Sequence, residues 1–174
     1  MRRALDGLYE AAGWLAALSI LAIATIVTAQ VGLNAAARIG GPAWSATIPS
    51  YADFAGFALA AATFLALATT LRQGVHIRVN LVVRALPPRA AWMLECIVLA
   101  MAGIIAAYAT WWSGVVAWES WHYGDTSSGM VAVPLWAPQC FMVAGLAVFT
   151  VALADTLVEA IRAGRPILRD SGSE

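Results

Sequence analysis

Charge is what this sequence has least of. Only 11% of its 174 residues are charged, whereas a soluble domain carries roughly 25%. There is no lysine, so all ten cationic residues are arginines, and ten acids bring the formal net charge to zero. So little charge cannot coat a water-soluble globule of this length, and a balanced charge gives no reason to expect a nucleic acid partner.

Cysteine and histidine are also scarce, with two of each. Cys96 and Cys140 form no CxxC motif, and no Cys/His cluster has metal-ligand spacing, so the sequence predicts no metal and no other cofactor. His76 and His122 fall at opposite ends of the membrane spans described below, about a bilayer thickness apart, and cannot bind one haem iron. We therefore expect no enzymatic activity; a membrane anchor or redox subunit of a respiratory-type enzyme is the alternative class.

Hydrophobic residues, in contrast, make up 61% of the chain and are gathered into four long runs. A bilayer core of about 30 Å needs about 20 apolar residues in a helix. Four stretches meet this requirement, at about 8–29, 51–71, 91–112 and 131–153, and none has a charged residue at its centre. The sequence therefore predicts an all-α integral membrane protein in which residues 1–174 form a single membrane domain.

The arginines indicate how these helices are oriented, because positive residues stay on the cytoplasmic side of a membrane. Arg38 alone lies in a loop on one side, and the other nine lie at the amino end, in the loop after the second span and in the carboxyl tail. Both chain ends are therefore expected in the cytoplasm. Tryptophan supports this, since its ring prefers the interface and six gather on the outer side: Trp44, Trp111, Trp112, Trp118, Trp121 and Trp136.

The loop between the second and third spans has a helical pattern of its own. His76, Asn80 and Arg84 recur at every fourth position, which places them on one helix face, and valines and leucines occupy the other face. Pro87 and Pro88 end the pattern, because proline cannot continue the hydrogen-bond ladder. We predict a short amphipathic helix at about 75–86, lying in the inner interface of the membrane.

The acids of the spans lie near helix ends, and we interpret them as interfacial residues that reach water or a neighbouring arginine: Glu10, Asp53, Glu95, Asp155 and Glu159. Asp53 opens the second helix, where a carboxylate suits the positive helix end. A contact of Asp53 with Arg38 or with a partner subunit is the alternative.

The spans also lack the features of a self-sufficient transporter, which usually has broken helices and polar groups near the midplane. Small residues recur instead four positions apart, as Gly56 with Ala60 and Gly103 with Ala107. That spacing allows close helix packing. Together these features predict a scaffold that packs against something larger.

One run of residues is familiar. Residues 71–81 read LRQGVHIRVNL, and Leu86-Pro87 follows. This run resembles the R-x-G-x-H-I-x-V-(D/N) signature, with its later Leu-Pro pair, of the small membrane subunit of TRAP transporters, the DctQ-like family. Two further stretches are similar to that family's end of helix 1 and entry to helix 4: residues 29–31 with Arg38, and residues 128–139. The family often opens helix 2 with tryptophan and glutamate, where this chain has Asp53.

The resemblance implies a small permease subunit, in the bacterial inner membrane, of a secondary transporter that imports organic acids by sodium symport. It implies two partners: a large DctM-like membrane subunit that holds the substrate and sodium sites, and a periplasmic DctP-like solute-binding protein. The small subunit would be a static scaffold that helps the binding protein dock. The small subunit of a tripartite tricarboxylate transporter shares this plan, and the His-Ile signature favours the TRAP family.

Two groups of candidate site residues follow. We expect the first to anchor the inner amphipathic segment beside the membrane lipids: Arg72, Gly74, His76, Arg78, Asn80 and Pro87. The second lies toward the outer face, where the binding protein would dock: Arg38, Asp53, Glu119 and Asp125.

Overall fold

The computed structural model describes residues 2–74 and 87–165, which form four long helices and their connections. The helices are α1 at Arg2–Gly40, α2 at Tyr51–Arg72, α3 at Pro88–Tyr123 and α4 at Trp136–Ala163, with a 3-10 turn at Pro42–Trp44. All four helices are long and apolar enough to cross a membrane, which confirms the predicted all-α membrane fold. The amphipathic helix predicted at 75–86 lies outside the described residues.

Proline and glycine mark the helix ends. α3 begins with Pro88, and α4 has Pro138 in its first turn, where a missing backbone N–H costs no hydrogen bond. Gly124 and Gly164 follow α3 and α4 with φ of 70° and 60°. Because glycine has no Cβ, it adopts this left-handed conformation without penalty and ends both helices.

The helices differ in length from the predicted spans. With 39 residues α1 is about 58 Å long, and with 36 residues α3 is about 54 Å long. Both exceed a bilayer core of about 30 Å and continue beyond the predicted spans, to Gly40 and Tyr123. α4 begins at Trp136, later than the predicted start at 131. The backbone of Val133 and Leu135 forms hydrogen bonds with Ser127 and Asp125 of the preceding loop instead of helical ones.

The helices pack in the order α1–α2–α4–α3. α2 and α4 are the central pair, α1 packs mainly on α2, and α3 packs mainly on α4. Alanine dominates the described core, with Leu65, Leu71, Leu99 and Leu153 as its most buried larger aliphatic residues. Many large apolar side chains point outward instead, which is the opposite of a soluble protein.

Glycine allows the two central helices to touch through their backbones. A Cβ added to Gly145 of α4 would lie 2.5 Å from the carbonyl oxygen of Phe64 and 2.8 Å from the amide nitrogen of Leu65, both in α2. Gly56 and Gly103, which the sequence suggested for close packing, have open space around them within this chain. Their surfaces therefore remain available to another subunit.

Candidate functional site

Four charged side chains meet at the end of the bundle where α1 begins and α4 ends. We call it the inner end, and the opposite end the outer end, after the sides of the membrane that the sequence predicts for them. We call them the inner ion-pair cluster: Arg2 of α1, Arg72 of α2, and Asp155 and Glu159 of α4. Two positive and two negative groups make the cluster neutral. Because its members come from three helices, their pairing holds those helices together at this end.

Arg72 is the centre of the inner ion-pair cluster. Its guanidinium forms two bonds to Glu159, with Nη1 3.1 Å from Oε2 and Nη2 3.4 Å from Oε1. It also lies 3.5 Å from Asp155 Oδ2 and stacks over the ring of Tyr9, 5.7 Å from the centroid. The planar fork of arginine suits such two-point pairing. Arg2 reaches the same Glu159 from α1.

The remaining helix, α3, is joined to the inner end by a tryptophan side chain. The indole Nε1 of Trp92 in α3 donates to the carbonyl oxygen of Ala160 in α4 at 2.8 Å. On the other side, Thr69 of α2 donates to the carbonyl oxygen of Tyr9 at 2.8 Å, which the absent side chain of Gly13 permits. Hydrogen bonds and ion pairs thus link all four helices at the inner end.

The predicted inner site is only partly within the described residues. Arg72 forms ion pairs with Asp155 and Glu159 of α4, which were interpreted as reaching water or a neighbouring arginine. Gly74 lies in the turn after α2, and Pro87 caps the start of α3. The other three, His76, Arg78 and Asn80, lie outside the described residues. The anchoring role of this group stays a prediction.

At the opposite, outer end a loop is fastened to the start of α2. We call the contact the outer clasp: Ser50, Asp53, Gly129 and Val131. The Ser50 hydroxyl accepts a hydrogen bond from the Val131 N–H at 2.8 Å, and the Asp53 carboxylate lies directly against Gly129. Ser50 adopts a left-handed backbone conformation, φ 55°, which is uncommon for a residue with a side chain. The bond to Val131 helps to hold it there.

Both outer loops have internal support. In loop 124–135, Ser127 bonds to Val133 through its backbone N–H at 2.8 Å and its hydroxyl at 3.1 Å. In the connection from α1 to α2, buried Gln30 accepts from the Ile48 N–H at 2.8 Å and donates to Asn34 at 3.0 Å. The outer end is therefore an ordered surface built from both loops.

The four predicted docking residues divide into two kinds. Arg38, Glu119 and Asp125 are exposed near the outer end and are free to meet another protein. Asp53 is half-buried in the outer clasp. Within residues 2–74 and 87–165 no ion pair joins Asp53 to Arg38. A contact of Asp53 with a partner subunit stays a prediction.

The close packing in the outer clasp predicts that a side chain at Gly129 would weaken this contact. Replacing it with alanine should push the Asp53 and Ser50 side chains aside and break the bond from Val131, since an added Cβ would lie 2.5 Å from Ser50 Oγ. Side-chain ends can move, so the expected cost is only about 1 kcal/mol, or roughly fivefold faster amide exchange at Val131. Hydrogen exchange resolved by mass spectrometry checks this. Gly114→Ala, in open space on α3, is the control and should leave that exchange unchanged.

Sequence reasoning missed several residues that the fold uses. Gln30 offered one signal, because a buried amide in an apolar helix must find partners. Trp92 offered another, since an indole N–H near a helix end usually bonds to a carbonyl. Gly129 gave none, because only its contact with Asp53 shows why a side chain is excluded there.

The segment that contains α2, α3 and α4 matches the model of a known protein family. The model of one protein family, "Tripartite ATP-independent periplasmic transporters, DctQ component", matches residues 43–163, well over half of the chain. That range holds the outer clasp together with Arg72, Asp155 and Glu159. No curated protein and no solved structure matches the chain. The chain belongs to the DctQ family, the small membrane subunits of TRAP transporters, as its resemblance to the family's signature had suggested.

Proposed function

We propose that this subunit is a static scaffold in a TRAP importer of organic acids driven by a sodium gradient. In this proposal it braces the large membrane subunit, which carries the substrate, and offers its outer end to the periplasmic binding protein. Both chain termini would lie in the cytoplasm, as the distribution of arginines indicates. The observation that carries the scaffold role is that polar contacts tie the helices together at both ends of the bundle.

The polar side chains between the two ends of the bundle support a structural role for this subunit and not a role in carrying the substrate. Five hydroxyl side chains there donate to the carbonyl oxygen four residues earlier in their own helix: Ser19, Thr25, Thr63, Thr110 and Thr150. Thr110 and Thr150 also contact each other at 3.2 Å, joining α3 to α4. Groups whose hydrogen bonds are already made inside a helix bundle stabilise it and are poor ligands for a polar substrate.

The two outer helices of the row supply surface for a large partner. α1 and α3 each pack mainly on one neighbour, and large apolar side chains line their free faces. On α3 these include Ile104 and Tyr108, which are 71% and 66% exposed, close to open Gly103. A membrane partner could bury these faces with close helix contact, since small residues let backbones approach.

The outer end supplies a second surface, which suits a soluble partner. Arg38 near the end of α1, Glu119 on α3 and Asp125 after it are exposed charges beside exposed aromatic rings such as Trp121 and Tyr123. The loops beneath them are held by the outer clasp and Gln30. A binding protein must dock transiently, and a small polar interface on an ordered surface fits that need.

Reversing the exposed outer charges tests the docking proposal. Arg38→Glu, Glu119→Arg and Asp125→Arg should each lower uptake at limiting binding protein, with an apparent affinity about two- to tenfold weaker, because rim charges govern encounter rate. The measurement is substrate uptake into proteoliposomes of the complete transporter, titrated with its binding protein. Co-purification of the large subunit should remain normal, since the proposal assigns that subunit to the apolar faces of α1 and α3 and not to these three exposed charges.

Arg89→Glu is the matched control, because Arg89 is an exposed arginine at the opposite end of the bundle. It should leave the titration with binding protein unchanged. If the three outer reversals also left the curve unchanged, these charges would serve only to solvate the loops and the docking role would be lost. A reversal that prevented co-purification with the large subunit would instead place that residue in the membrane interface.

A further inference from the structure

The inner end carries arginines that the inner ion-pair cluster does not neutralise. Glu159 and Asp155 are occupied by Arg72 and Arg2. Three arginines, Arg3 on α1, Arg162 at the end of α4 and Arg165 just after it, are exposed. The ion pairs among the described residues do not include them. Several guanidinium groups at the inner end are therefore available to an anion.

The pair between Arg2 and Glu159 brings these arginines into one region. It joins the first turn of α1 to the last turns of α4, so that Arg3 neighbours Arg2 on one side and Arg162 lies one turn beyond Glu159 on the other. Arg2 keeps 69% of its side chain exposed although it is paired, so it still presents free N–H donors. Guanidinium groups bind phosphate oxygens with two parallel hydrogen bonds.

Apolar side chains adjoin the same region. Val158 lies four residues before Arg162, and therefore on the same face of α4, and is 43% exposed. Ile161 is 56% exposed and Leu8 on α1 is 42% exposed. Asp6, also exposed, is a nearby acid on α1 and lowers the local positive charge without removing it. A phospholipid has the matching arrangement, an anionic headgroup attached to acyl chains.

We propose that the inner ends of α1 and α4 bind the headgroup of an anionic phospholipid, with Arg3 and Arg162 as its main donors. Arg2 contributes its free N–H groups, and the exposed aliphatic residues of α4 contact the acyl chains. The charge complementarity and the neighbouring apolar surface select a lipid over a soluble anion. The site is independent of the transport role and involves only this chain.

Lipid titration of the purified full-length protein in a neutral detergent tests the site, with bound lipid counted by native mass spectrometry. Phosphatidylglycerol should bind more tightly than phosphatidylcholine, and raised salt should weaken it. The double variant R3Q/R162Q should bind phosphatidylglycerol roughly 25-fold more weakly, since each juxtamembrane arginine contributes about fivefold. Its thermal unfolding midpoint should match that of the parent protein, because both residues are exposed and lie outside the ion pairs.

Arg38→Gln is the matched control, because Arg38 is also an exposed arginine in the last turn of a helix, at the outer end. It should leave the affinity for phosphatidylglycerol unchanged. Equal binding of both lipids, or an equal loss of affinity in Arg38→Gln, would overturn the proposal in favour of non-specific attraction. Competition by millimolar inorganic phosphate as strong as that by phosphatidylglycerol would overturn it in favour of a soluble anion.

Discussion

Replacing Arg72 with methionine is expected to destabilise the isolated subunit by about 2–3 kcal/mol, somewhat less than the loss of one partner from a fully buried ion pair. The Arg72, Asp155 and Glu159 side chains retain only 21%, 20% and 15% of their exposure. Without Arg72, two carboxylates of α4 would share a poorly solvated space with Arg2 alone. Asp155 Oδ2 depends most on Arg72, because it has no hydrogen bond among the described residues. Thermal unfolding in detergent measures the loss.

Two comparisons separate this effect from a general need for arginine. Arg89→Met removes an exposed arginine at the same end and should change stability by less than about 0.5 kcal/mol. The triple variant R72M/D155N/E159Q removes the charges together and should recover much of the stability lost by Arg72→Met, because no carboxylate is left unpaired. An Arg72→Met protein as stable as the parent would show that the inner ion-pair cluster does not hold the helices together.

The helical architecture was predictable because it follows from the length of apolar runs. Four runs without central charges led to four helices. The acids near their ends were expected to reach water or a neighbouring arginine, and for Asp155 and Glu159 the neighbour is Arg72. The true ends of α1 and α3 were not predictable from hydropathy. Their outer turns continue as helix well beyond the thickness of a bilayer, since no proline or left-handed glycine occurs there before Gly41 and Gly124.

Contacts between distant segments could not be predicted from one sequence. Asp53 was placed correctly at the start of α2, but its contact with Gly129 arises only when loop 124–135 folds over that helix. Small residues are so common in the spans that spacing could not identify the ones in contact. Gly56 and Gly103 were singled out, whereas among the described glycines it is Gly145 that meets the backbone of another helix. Such choices depend on the helix crossing points, which only the tertiary structure defines.

Gly145→Ala is the second change with a large expected effect. An added Cβ would lie 2.5 Å from the Phe64 carbonyl oxygen and 2.8 Å from the Leu65 amide nitrogen. These are backbone atoms of α2 and cannot rotate away, unlike the side chains that face Gly129. α2 and α4 must separate, and we expect a loss of about 2–3 kcal/mol, in the range of overpacked cores. The midpoint of thermal unfolding in detergent measures it, and interhelical contacts such as that of Arg72 with Glu159 should weaken as well.

Gly103→Ala is the control for Gly145→Ala, because it makes the same substitution in a membrane helix with open space around it. It should be neutral or stabilising by up to about 1 kcal/mol, the difference in helix propensity between the two residues. Adding Phe64→Ala to Gly145→Ala should not restore stability, since the obstruction is the backbone of Phe64 and not its ring. Recovery in that double variant would mean that a side chain sets the distance between α2 and α4, and the argument from backbone contact would fail.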